Sequence, residues 1–89
     1  MKRGALTSAQ IRAGRALVRW SALDLARAAN LGLATIRRAE LTEERTSMTA
    51  ANNSAVRRAL EAAGVEFIDE NGGGPGVRLR KSAQKGDPT

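Results

Sequence analysis

Residues 21–40 read SALDLARAANLGLATIRRAE, and this stretch decides the fold. It reads as two short helices joined by a tight turn. Ser21 is placed to cap the first by accepting from free backbone N–H groups, and Asp24 stands three residues on to support the cap. Leu25, Ala28 and Ala29 fall at helical spacing and form an apolar face. Asn30 follows, a residue that tolerates a left-handed backbone, and Gly32 weakens the helix further. From Leu33 to Leu41 the helical period resumes, with Ile36, Ala39 and Leu41 turned inward. Helix, short turn and helix with small residues between them is the helix-turn-helix layout.

Outward from this unit, Thr7 begins an earlier helix and Gln10 completes its capping box, with Leu6 and Ile11 stapled across the cap. Ile11, Gly14, Leu17 and Val18 make its buried stripe, and Arg12, Arg15 and Arg19 lie off it. Gly14 permits close approach of another helix. Trp20, the only tryptophan, is a packing anchor at the junction of the first two helices. Residues 42–48 are polar and read as a loop. Thr49 caps a fourth helix running to Ala63, with Val56, Leu60 and Ala63 on one face. Gly64 follows, where a left-handed residue closes a helix. The period then changes. Residues 65–69 and 77–80 alternate as strands do, around a glycine-rich turn. The expected fold is mainly α: a four-helix domain containing a helix-turn-helix, followed by a C-terminal β-hairpin. The domain covers 6–81, with flexible termini at 1–5 and 82–89. An isolated hairpin is marginal in water. Val65, Phe67, Val77 and Leu79 must therefore lean on the helices or on a second subunit, which leaves a homodimer open.

Eighty-nine residues hold one small core. The chain has neither Cys nor His, which excludes thiolate and imidazole chemistry and disulfides. The lack of Cys suits a cytoplasmic protein. The start has basic residues but no continuous apolar run, so it reads as neither a signal peptide nor a membrane span. Gly72, Gly73, Gly74 and Gly76 lack the Lys-Ser/Thr and helix of a phosphate loop, and a hairpin turn accounts for them. Glu43 and Glu44 read as a solvated pair. No acid–base pair or nucleophile stands out, so neither an enzyme nor a cofactor is expected.

Net charge is +6, and its distribution says more. Residues 1–40 carry eight basic and two acidic groups, 41–70 three and six, and 71–89 four and one. A basic front and an acidic middle suit nucleic-acid contact on one side.

Trp20-Ser21, Leu25-Ala26, Ala29, Thr35-Ile36 and Glu40 together resemble the Cro/CI-type (Xre-like) helix-turn-helix family. Residues 59–68 and the turn after them look like a small bacterial branch of it, so the resemblance spans about 6–81. It implies a transcription regulator whose recognition helix opens at Gly32. The DNA-contacting set it implies is Ser21, Arg27, Thr35, Arg37 and Arg38. The readout positions depart from the family pattern. Where the family commonly has Gln the chain has Ala22, and where it has Ser or Thr the chain has Gly32. The two positions that usually reach bases are Leu33 and Ala34. Base readout needs donors and acceptors there.

Two functions follow as expectations. In the first, the scaffold binds another protein, such as a transcriptional activator, through the former DNA-reading face at Leu23, Leu33, Ala34 and Arg37, and acts as an antiactivator. In the second, it is a sequence-specific DNA-binding repressor of the Cro/CI type. DNA contact of weak specificity is compatible with the first, and a membrane partner is expected in neither.

Overall fold

The computed structural model describes residues 5–41 and 48–80. The expected loose start and polar tail lie largely outside these, as does most of the expected 42–48 loop, with Glu43 and Glu44. The element order is α1 (Ser8–Val18), α2 (Ala22–Ala29), α3 (Leu33–Leu41), α4 (Ala50–Ala62), β1 (Val65–Ile68) and β2 (Gly76–Leu79). This is the four-helix domain with a C-terminal hairpin that the sequence implies.

Local chemistry sets the helix ends. Thr7 and Gln10 close a capping box on α1, Ser21 and Asp24 close one on α2, and the Thr49 hydroxyl caps α4. Asp24 accepts from the Ser21 backbone N–H at 2.8 Å, which holds its carboxyl below the usual range. Both α1 and α2 end in a left-handed residue, Arg19 (φ 59°) and Asn30 (φ 59°). At each the two closing bonds have the same pattern. Trp20 N–H donates to Arg15 O at 2.9 Å and Arg19 N–H to Ala16 O at 3.1 Å. Leu31 N–H donates to Ala26 O at 2.9 Å and Asn30 N–H to Arg27 O at 3.2 Å. These bonds satisfy carbonyls that would otherwise be orphaned. Asn30 was legible as such a cap; Arg19, a β-carbon-bearing residue with no local side-chain bond to favour it, was not. Gly64, with φ 114°, turns the chain from α4 into β1, and its carbonyl accepts from Arg80 N–H at 2.7 Å.

The core is Leu6, Ile11, Leu25, Ala26, Ala29, Ile36, Ala39, Val56, Leu60 and Val65. It draws on all four helices and the first strand. Four expected core positions are corrected. Leu17 is 37 % exposed, Leu41 79 % and Leu79 44 %, and Ala28 is exposed while Ala26 is buried in its place. The period placed these side chains on or beside the right face; the small core ends before it reaches them.

The strands pair antiparallel, Val65 opposite Leu79 and Phe67 opposite Val77. Val65 is buried, and Phe67 and Val77 pack against the core. The hairpin therefore leans on helices of its own chain. Gln10 fastens it: its side-chain amide donates to Gly76 O at 3.1 Å and to Ile68 O at 3.5 Å. The Arg57 guanidinium lies 5.2 Å from the centre of the Phe67 ring, a cation–π contact from α4 onto β1.

Gly14 faces α4 and β1. A β-carbon there would stand 3.4 Å from Leu60 Cδ1 and 3.6 Å from Val65 Cγ1, which is close but ordinary contact. Gly14→Ala should thus be accepted and raise stability by about 0.5–1 kcal/mol through helix propensity. Gly14→Val should lower it, because a larger side chain has no room. Thermal melts of the two variants shifting in the same direction would show the packing to be different.

Candidate functional site

The face in question is carried by α2 and α3, which pack against each other and hold their apolar sides in the core. Their orientation depends on Glu40. Its carboxylate takes two bonds from the Arg15 guanidinium, Nε to Oε2 at 2.7 Å and Nη2 to Oε1 at 2.9 Å. Arg15 Nη1 donates to Trp20 O at 2.9 Å, and Arg12 Nη1 donates to Glu40 O at 2.6 Å. Two arginines of α1 thereby grip the last turn of α3. The Glu40 bond raises the Arg15 pKa above its ordinary value. The pair has side-chain exposures of 22 % and 10 %, so water screens it little. Glu40→Gln leaves the Arg15 charge without its counter-charge, and should lower stability by about 1–3 kcal/mol. Chemical denaturation checks this; an unchanged midpoint would mean the fork contributes nothing. A pair 25 residues apart has no local signature in the sequence.

On α3 the exposed residues are Ala34, Arg37, Arg38 and Leu41. Their three- and four-residue spacing puts them on one face. On α2, Leu23, Asp24, Arg27 and Ala28 are exposed, with Leu23 at 42 %. Leu33 differs from expectation: it is half-buried and packed against the core, as are Ala22 and Leu31. Ser21 is exposed, with its hydroxyl engaged by the Asp24 N–H at 3.0 Å. Thr35 is half-buried.

The expected nucleic-acid set is thus only partly assembled for that work. Thr35 and Arg38 border a shallow cavity of about 140 Å³ with Ala39, Met48, Thr49 and Asn52, between α3 and the start of α4. Arg27 and Arg37 stand exposed. Among the described residues, no salt bridge engages Arg27, Arg37 or Arg38. The start of α3 has no side-chain cap: Gly32 supplies only its carbonyl, accepting from Thr35 N–H at 3.1 Å and Ile36 N–H at 3.3 Å. A β-carbon on Gly32 would meet nothing nearer than Thr35 Oγ1 at 4.0 Å. Packing does not demand glycine there.

Among the described residues no cluster of acidic side chains could hold a metal ion, and no helix is long and apolar enough to cross a membrane. The chain matches no protein-family model, and no curated protein matches its sequence.

Proposed function

We propose that this chain is a small transcription-regulatory protein that binds another protein, such as a transcriptional activator, through the outward face of α2 and α3. In this reading it is an antiactivator. The observation that carries it is the content of the α3 face: Ala34, two arginines and a leucine 79 % exposed, with no amide or hydroxyl group among them. Sequence readout draws on hydrogen-bonding groups at the start of the recognition helix, and here that start is Gly32, Leu33 and Ala34. Exposed leucines instead favour a partner that can cover them.

One observation favours the second reading, a DNA-binding repressor. Arg27, Arg37 and Arg38 are exposed and carry no salt bridge among the described residues, and suit phosphate contact. Arg78 and Arg80 suit it less, since Arg78 bridges Glu66 at 2.9 Å and Arg80 donates to Glu61 O at 2.9 Å.

Gel shifts with the chain's own upstream region and with random duplex test the choice. Under the protein-binding reading, binding is weak and indifferent to sequence. Its logarithm falls with that of salt with a slope of about −3, as three phosphate contacts give. A salt-tolerant complex with one operator, preferred about a thousandfold over random duplex, would establish the repressor and end the first reading.

A further inference from the structure

The protein-binding reading leaves open what kind of segment sits on the face, and this inference rests on that reading. We infer that the occupant is an acidic amphipathic segment of the partner, with carboxylates on Arg37 and Arg38 and apolar side chains against Ala34 and Leu41. Between residues 21 and 41 the cations are Arg27, Arg37 and Arg38 and the anions are Asp24 and Glu40. Glu40 is engaged by Arg15, while Asp24, which accepts from the Ser21 N–H, keeps its charge beside Arg27 on α2. The α3 side of the face therefore presents Arg37 and Arg38 with no carboxylate bridged to them among the described residues.

Arg37 and Arg38 lie one turn beyond Ala34 and one turn before Leu41. An occupant must satisfy cations in the middle and apolar groups at both ends. Guanidinium groups bind carboxylates through paired bonds of fixed geometry. Ala34, with only a β-carbon, leaves a shallow floor on which a larger apolar side chain can rest. Leu41 offers apolar area that is recovered only when another apolar surface covers it. A nucleic-acid backbone would meet the arginines and leave that leucine in water, whereas an acidic amphipathic segment meets both.

The test uses the full chain, isotopically labelled for amide spectra. The probe is a monomeric helical peptide of leucine and glutamate, with leucines at i, i+3, i+4 and i+7. Its control carries glutamine at every glutamate. The acidic peptide should shift the amides of α3 and bind at least tenfold more tightly than the control. Arg37→Glu and Arg38→Glu should each weaken it about tenfold or more. Arg58→Glu, on the exposed side of α4, should leave it unchanged. Equal binding of the glutamine peptide at α3 would overturn the acidic occupant while leaving a protein-binding face. Equal weakening by Arg58→Glu, or shifts centred on the hairpin, would overturn it as non-specific attraction. Random duplex DNA displacing both peptides from α3 at physiological salt would overturn the protein-binding reading itself.

Discussion

Leu60→Ala is expected to lower the stability of the domain by about 2–5 kcal/mol, toward the upper end of that range. Leu60 is fully buried near the end of α4. Its methyl groups stand against Gly14, which has no side chain to move into the space vacated. A void that cannot collapse retains its full penalty. A domain of this size has a total stability of only about 5–10 kcal/mol, and each kcal/mol corresponds to about 4–8 °C in melting temperature. The midpoint should drop by 10 °C or more. Ile36→Ala, at an equally buried site on α3, should behave alike. Melting midpoints at the parent value would show that the buried faces of α3 and α4 are phased differently from those described.

The second large effect concerns binding, and the structure separates two leucines that the sequence grouped. Leu23 is 42 % exposed and lies in the first turn of α2, where a carboxylate is favourable to the helix dipole. Leu23→Glu should keep the melting temperature within the range of ordinary surface changes. It should weaken partner binding by about thirtyfold or more, because it places an unpaired charge in an apolar contact. Leu33→Arg is a different test. That side chain is half-buried against the core, so its loss lowers stability by about 1–3 kcal/mol as well as changing the face. If the domain reads DNA instead, Leu33→Arg strengthens duplex binding and Leu23→Glu weakens it only modestly. Partner affinity unchanged in Leu23→Glu, with the fold intact, would remove Leu23 from the interface.

What was legible in the sequence was what depends on near neighbours. The two capping boxes, the Thr49 cap, the left-handed Asn30 and the Gly64 turn each involve residues a few positions apart. The two strands of the hairpin followed from alternation. What was not legible depends on where the core stops. Leu17, Leu41 and Leu79 have the right residue type, and no pattern along the chain says that the core leaves them partly exposed. For the candidate site, the outward positions of Ala34, Arg37 and Arg38 followed from the helix-turn-helix resemblance. The half-burial of Leu33 did not, because it depends on how α2 and α3 settle against the rest of the core. The Arg15–Glu40 fork was hidden for the same reason.

Gln10 has a consequence for how the chain is made. The amide that helps to cap the first helix also holds carbonyls at Ile68 and Gly76, the latter 66 positions away. A nascent chain has formed Gln10 long before it has formed Gly76. Until then the first helix can be capped, but Val65 is not in place over Gly14 and the apolar side chains beneath the hairpin stay wet. Contacts of α1 with α3 shorten the loop that remains, but its closure still carries an entropic cost. The core is therefore complete only once Val65 and the hairpin are in place, and a chain cut before Val65 should be digested by proteases more readily than the whole domain.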